Sequence, residues 1–83
     1  MKIIKINSLG CPSCIIMNKI FNKIKEKYDF ELEELDYDFD DIEKYKPGNI
    51  LPIYIFYKND KEINRICGEH KVEELEKIIE EIK

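Results

Sequence analysis

The chain has 83 residues and a mass of 10.0 kDa, the size of one small globular domain. Fourteen Lys and Arg against eighteen Asp and Glu give a net charge of −4 without a basic run, which disfavours binding to a phosphate backbone. No apolar run reaches the length of a secretory signal or of a membrane span. We therefore expect one cytoplasmic domain over residues 1–83, a monomer that binds neither nucleic acid nor a membrane.

The first half of the chain predicts a strand, a helix, a second strand and a short helix. Residues 2–7 form a short Ile-rich run that ends in a turn-forming cluster, as a strand does. From residue 14 to residue 28 apolar side chains recur every three or four positions with lysines between them, the pattern of an amphipathic helix. Residues 29–35 alternate apolar and acidic side chains and predict a strand, and residues 38–46 predict a short helix before a Pro-Gly pair.

The second half predicts a hairpin followed by a helix. Residues 51–57 are the most apolar strand candidate, and the Asn59-Asp60 turn returns the chain into a fourth strand over residues 62–67. Residues 72–82 place their apolar side chains on one helical face. Strands joined through a helix pair in parallel, and strands joined by a tight turn pair antiparallel. The β-α-β-α-β-β-α order therefore predicts an α/β fold with a mixed four-stranded sheet and helices on both faces.

Cys11 and Cys14 lie where the first helix is predicted to begin. Positions i and i+3 of a helical turn are about 5–6 Å apart, within the Cα separation that a disulfide accepts. At the N-cap, the Cys11 sulfur would face the free N–H groups and the positive end of the helix dipole, which favour the thiolate. The spacing predicts a redox-active dithiol in which Cys11 is the more acidic thiol and Cys14 is buried beneath it.

Four motifs in this order resemble the thioredoxin-like superfamily, and the match covers essentially the whole chain. The motifs are Gly10-Cys11-Pro12-Ser13-Cys14 at a helix start, Ile50 to Phe56 with Pro52 in it, the turn from Lys58 to Glu62, and Gly68 before the last helix. The resemblance implies the short form of the fold, which lacks the N-terminal strand and helix of full-length thioredoxin.

This resemblance implies a protein-disulfide reductase in which Cys11 attacks the substrate and Cys14 resolves the mixed disulfide. No cofactor beyond the Cys11–Cys14 disulfide is implied, and the expected partners are disulfide-containing proteins and an electron donor such as thioredoxin reductase or glutathione. The implied substrate-contacting residues are Pro12, Ser13, Leu51, Pro52 and Gly68.

Within that set, the resemblance makes Pro52 a cis-proline that faces the disulfide. The backbone of Leu51 would pair with a bound substrate segment, and Gly68 would leave room for the substrate beside the proline.

The chain also departs from both branches of the family. Thioredoxins usually keep a buried acid six residues before the first cysteine, where this chain has Lys5. An ammonium reaching from there toward Cys14 would favour the Cys14 thiolate. Glutaredoxins commonly place a lysine three residues before that cysteine and a Gly-Gly pair near the last helix, where this chain has Ser8 and a single Gly68. We therefore expect thioredoxin-like reduction, with a glutathione-linked glutaredoxin as the alternative.

Two metal-binding alternatives remain from the sequence. Cys67 and His70 are three residues apart, so that Cys11, Cys14, Cys67 and His70 could form a Cys₃His zinc set. A Cu(I) chaperone domain also opens with a strand and a Cys-X-X-Cys helix start, but such domains normally have a Met where this chain has Leu9. Both alternatives rank below dithiol exchange.

Overall fold

Four strands and two α-helices make up most of the chain, and the computed structural model describes all 83 residues. The strands are β1 (Lys2–Asn7), β2 (Glu31–Asp36), β3 (Ile53–Lys58) and β4 (Lys61–Cys67). The α-helices are α1 (Pro12–Lys27) and α2 (Val72–Ile82), and Glu43–Tyr45 forms a short 3₁₀ helix, η1. Neither α-helix is long and apolar enough to cross a membrane.

The strands form one mixed sheet in the order β2-β1-β3-β4, which confirms the predicted sheet. β1 pairs in parallel with β2 and antiparallel with β3, and β3 and β4 form the antiparallel hairpin. Asn59 and Asp60 in the hairpin turn have φ values of 53° and 63°. A two-residue turn with both φ values positive matches the right-handed twist of its strands, and Asn and Asp tolerate that conformation.

Both α-helices pack on the same face of the sheet. Alternation along the strands points Ile3, Tyr54 and Phe56 to this face, where they meet the apolar stripes of the two helices. The helical side chains in this cluster are Met17, Phe21, Ile24, Leu75, Ile79 and Ile82. We call this side of the sheet the helix face.

The other side, which we call the loop face, is covered by irregular chain between β2 and β3. Ile4, Ile6, Ile53 and Ile55 point to it from the sheet, and Ile42 packs on them from the covering segment. Partly buried Tyr37, Tyr45 and Leu51 complete the cover. The predicted second face of helices is therefore present only as the three-residue η1.

The helix predicted over residues 38–46 was wrong in extent: the chain forms a hydrogen-bonded turn after β2, and only Glu43–Tyr45 is helical. The Asp36 carboxylate accepts hydrogen bonds from the N–H groups of Asp38 and Phe39, at 2.8 and 3.3 Å. Asp40 accepts one from the Asp36 N–H at 2.6 Å. Together with the hydrogen bond from the Asp40 N–H to the Asp36 carbonyl at 3.0 Å, these contacts close a single turn, a conformation that Asp side chains stabilise by bonding to nearby backbone groups.

The other predicted boundaries are confirmed to within two residues. β2 begins at Glu31 instead of residue 29, and β4 begins at Lys61 instead of residue 62. β3 begins at Ile53 and not at residue 51, since Pro52 has no N–H to donate to a strand partner. α2 covers the predicted residues, and α1 begins at the cysteine pair.

Candidate active site

Three chain segments meet at one edge of the sheet. Ile6, Ile53 and Cys67 are neighbours in register across β1, β3 and β4. The chain leaves β1 beyond Ile6 toward the two cysteines, enters β3 through Leu51-Pro52 just before Ile53, and leaves β4 beyond Cys67 at Gly68. The predicted site residues, which are far apart in sequence, therefore lie at the same edge.

Cys11 and Cys14 are joined as a disulfide at the start of α1, with their Cα atoms 5.2 Å apart. Cys11 is the N-cap residue, and its sulfur accepts a hydrogen bond from the Cys14 backbone N–H at 3.1 Å. Cys14 is only 3% exposed, whereas Cys11 is partly exposed. The outer sulfur therefore faces a free N–H of the first helical turn, and the inner cysteine is buried.

Leu51, Pro52 and Gly68 lie at the same edge of the sheet as the cysteine pair. The Leu51–Pro52 peptide bond is cis, as the sequence resemblance implied. The Pro52 carbonyl accepts a hydrogen bond from the Gly68 N–H at 2.9 Å, which fixes the end of β4 against the start of β3. Gly68 has φ +80°, and a Cβ at this position would lie 3.3 Å from Cγ2 of Ile50. A side chain at Gly68 would therefore be strained and would crowd Ile50.

The loop from β4 to α2 contributes a carboxylate that the sequence analysis missed. The Ser13 hydroxyl, between the two cysteines, donates a hydrogen bond to Oε1 of Glu69 at 3.0 Å. The His70 backbone N–H donates to the Met17 sulfur at 3.3 Å, which holds the same loop on α1. Ser13 and Glu69 are 56 positions apart, and no local sequence pattern signals their contact.

The alternative Cys₃His zinc set is not brought together. His70 directs Nδ1 to the Glu74 carboxylate at 2.8 Å and Nε2 to the Cys67 carbonyl oxygen at 3.0 Å. Both partners are acceptors, so the doubly protonated ring satisfies both, and the hydrogen bond to Glu74 raises the pKa of His70. Cys67 is a free, exposed thiol, and no three His, Cys, Asp or Glu side chains are arranged to hold a metal ion.

Lys5 is buried on the helix face, and its ammonium group pairs with Glu34. Its side chain is 7% exposed, and Nζ lies 3.6 Å from Glu34 and 5.6 Å from the centre of the Phe21 ring. Phe21 is two helical turns beyond Cys14. Burial lowers the pKa of Lys5, and burial raises the pKa of Tyr54, its partner on β3. Lys5 is therefore a partner of Glu34 and forms no hydrogen bond with Cys14.

Exposed apolar side chains surround the cysteine pair. Leu9 precedes the pair and is 82% exposed, Ile15 and Ile16 follow it at 59% and 46%, and Ile50 beside Gly68 is 62% exposed. A cavity of about 470 Å³ lies near the 59–60 turn and is lined by neither cysteine. The cysteine site is therefore an open surface with an apolar rim and not a deep pocket.

Comparison with known proteins identifies solved structures that resemble the chain. No family model and no curated protein sequence matches it. The reduced thioredoxin pre-protein of Schistosoma mansoni superposes with a TM-score of 0.86 at 21% identity, over 99% of this chain and 78% of that one. Thioredoxin of Fasciola hepatica gives a TM-score of 0.82 at 25% identity, over 99% and 80% of the two chains. A thioredoxin of Nicotiana alata gives 0.84 at 26% identity, over 99% and 72%.

Proposed function

Given that the chain is a thioredoxin-like protein by its fold and its Cys-X-X-Cys pair, we propose that it reduces protein disulfides by dithiol exchange. The thioredoxin structures with which it superposes and the joined Cys11–Cys14 pair support a thiol–disulfide oxidoreductase. We propose further that its substrates are disulfides of proteins and not glutathione conjugates.

The observation that carries the proposal is the asymmetry between the two sulfurs. Only Cys11 combines partial exposure with a backbone N–H directed at its sulfur. An N–H donor and the positive end of a helix stabilise a thiolate, and burial destabilises one. Cys11 is therefore suited to attack an incoming disulfide, and Cys14 is suited to wait behind it as the resolving thiol.

The reaction proceeds in two exchanges. The Cys11 thiolate attacks one substrate sulfur, the substrate S–S bond breaks, and the second substrate sulfur leaves as a thiolate that takes a proton from water. Cys14, once deprotonated, attacks the Cys11 sulfur, breaks the mixed disulfide and releases the first substrate sulfur, which is also protonated. Two electrons pass to the substrate, and Cys11 and Cys14 are left joined. A dithiol donor must reduce that disulfide before the next cycle.

The surface around the pair favours a protein substrate. Leu9, Ile15, Ile16 and Ile50 are large apolar side chains exposed at one edge of the fold. Clustered exposed apolar residues mark surfaces that bind other chains. The free carbonyl and amide groups of an extended substrate segment would lie beside Leu51, as the resemblance to thioredoxins implies.

Charge near the pair disfavours glutathione, which carries two carboxylates. Ser8, at the position where glutaredoxins commonly place a lysine, donates a hydrogen bond to the Asp38 carboxylate at 2.6 Å. Glu69 brings a second carboxylate to Ser13. We propose that a flavoprotein reductase supplies the electrons and that the protein acts in the cytoplasm, where protein thiols are kept reduced.

The direct test is reduction of insulin by the purified protein with dithiothreitol as electron donor. Cys11→Ser should abolish the catalysed reaction, and Cys14→Ser should accumulate a mixed disulfide with the substrate. Cys67→Ser is the matched control, because this thiol is outside the pair and its loss should leave the rate unchanged. Activity of Cys11→Ser at the wild-type rate would contradict the proposal, and saturable turnover with glutathione matching that with a flavoprotein reductase would overturn the choice of donor.

A further inference from the structure

The segment around the cysteine pair has no charged side chain of its own. Residues 6–18 contain no Asp, Glu, Lys or Arg. Charge at this edge must therefore come from other parts of the fold. Asp38 reaches Ser8 from the segment after β2, and Glu69 reaches Ser13 from the loop before α2. Of the two carboxylates, Glu69 is the one that contacts the Cys11–Cys14 segment itself, because Ser13 lies between the two cysteines.

Glu69 is held in place by its neighbours on both sides. Gly68 donates its N–H to the Pro52 carbonyl at 2.9 Å, and His70 donates its N–H to the Met17 sulfur at 3.3 Å. The Glu69 side chain accepts the Ser13 hydroxyl hydrogen bond at 3.0 Å. A carboxylate fixed in this way does not need to be ordered by an incoming substrate, so less conformational entropy is lost on binding.

No cation of the protein neutralises Glu69. It takes part in none of the six ion pairs. Of the two basic residues that follow it, His70 pairs with Glu74, and Lys71 makes no ion pair with Glu69. Glu69 is also exposed. Its negative charge is therefore available to a molecule that approaches the cysteine pair.

We propose that Glu69 is a specificity-determining residue of the dithiol site and that it selects disulfides flanked by basic side chains. The inference rests on the proposed function, because it concerns the substrates of that same cysteine pair. A Lys or Arg next to the substrate disulfide is attracted to the carboxylate beside Ser13, and an Asp or Glu at that position is repelled. The effect is electrostatic and therefore weakens as salt screens the charges.

The test compares two synthetic peptides, each with one intramolecular disulfide. They are identical except that lysines flank the disulfide in one and glutamates in the other. The measured quantity is the ratio of kcat/KM for the lysine peptide to that for the glutamate peptide, with dithiothreitol as donor. We expect a wild-type ratio of about three or more at low salt, the size of one exposed ion pair.

Glu69→Gln is the decisive variant, because its amide oxygen can still accept the Ser13 hydrogen bond while the charge is removed. We expect the ratio to fall toward one in this variant, and to fall in wild type as salt is raised. Glu81→Gln is the matched control: it makes the same change of charge on the last turn of α2, and the ratio should stay at the wild-type value. Ser13→Ala, which frees the carboxylate, should give a ratio between those of wild type and Glu69→Gln.

The outcomes separate the two proposals. Equal ratios in wild type and Glu69→Gln, with both peptides still reduced, would overturn the role of Glu69 and leave the reductase assignment standing. Failure of wild type to reduce either peptide would instead contradict the reductase assignment itself. The melting temperature of each variant, measured alongside, identifies any change that comes from unfolding.

Discussion

The helix face of the sheet has a core of nine buried side chains, whereas the loop face has five. The helices on the first face satisfy their own backbone hydrogen bonds and present continuous apolar stripes. The loop segment on the second face instead needs aspartate carboxylates to satisfy its backbone N–H groups. We therefore expect the helix face to supply most of the stability, whereas the loop face covers the sheet with irregular chain.

The cysteine pair lies at the edge of the sheet where the two faces meet. On the helix face α1 begins there, and on the loop face the covering segment ends there at Leu51-Pro52. The rigid helix face positions Cys14, and the adjoining loops carry the exposed groups that substrates would touch. We therefore expect changes deep in the helix face to affect folding and changes in the loops to affect exchange.

Removing one large side chain from each face gives the largest expected effects. Phe21, whose ring packs against Tyr54 and Phe30 on the helix face, is 1% exposed, and Phe21→Ala should lower the free energy of unfolding by about 4 kcal/mol. Ile42 on the loop face is 7% exposed, and Ile42→Ala should lower the free energy of unfolding by about 2 kcal/mol. Urea unfolding of the two variants measures the difference. An equal or larger loss for Ile42→Ala would contradict the larger contribution of the helix face to stability.

The Lys5–Glu34 ion pair of the helix face should contribute less to stability than the apolar core on the same face. Glu34→Gln leaves the buried Lys5 ammonium with a weaker partner and should destabilise the protein by about 1 kcal/mol, since the carboxylate is half exposed and screened. Lys5→Met removes the ammonium and should leave stability unchanged or raised.

The rate of insulin reduction tests whether Lys5 also affects the cysteine pair. The Lys5 ammonium lies near Phe21 and Glu34 and makes no hydrogen bond with Cys14, so Lys5→Met should reduce insulin at the wild-type rate. A large fall in rate with unchanged stability would mean that Lys5 acts on the cysteine pair.

Substitution of His70 has the smallest expected effect on stability, and the size of that effect depends on pH. The hydrogen bond to Glu74 raises the His70 pKa above its ordinary value, so protonation stabilises the folded state. This contribution is fully present below about pH 6.5 and is lost as the pH rises through the higher folded-state pKa. His70→Ala should therefore lower stability by under about 1 kcal/mol at pH 5.5, and by less at pH 8.5.

Thermal unfolding of wild type and His70→Ala at the two pH values measures this dependence. Glu74→Gln is the matched variant, because it removes the carboxylate that holds the ring and should reduce the same pH dependence. A stability difference that grows with pH would contradict the assignment of a protonated His70.

Local sequence patterns predicted the elements that depend on contacts between residues close together in the sequence. The three- and four-residue apolar spacing after Cys14 and after Val72 predicted both helices, and Asn59-Asp60 predicted the hairpin. The cysteine spacing predicted the N-cap contact between the Cys11 sulfur and the Cys14 N–H. Each of these features depends on residues within one helical turn or one strand pair.

Features that depend on side-chain competition or on distant contacts were not predicted. The helix expected over residues 38–46 formed only as η1, because Asp36 and Asp40 close a turn with side-chain hydrogen bonds where that helix was expected to begin. The direction of the Lys5 ammonium follows from Glu34 on the neighbouring strand, and the contact of Ser13 with Glu69 exists only once β4 and α1 are packed. A single sequence does not indicate such pairs, because nothing in the local pattern links their members.

The thiolate absorbance of each cysteine, measured against pH, tests directly whether Cys11 is the nucleophile of the pair. Cys14→Ser reports on Cys11, and Cys11→Ser reports on Cys14, each with Cys67→Ser added to remove the third thiol. The N–H directed at its sulfur should place the pKa of Cys11 below the free-thiol value of about 8.5. Burial should place the pKa of Cys14 above that value. A Cys14 thiol more acidic than Cys11 would contradict the assignment of Cys11 as the nucleophile.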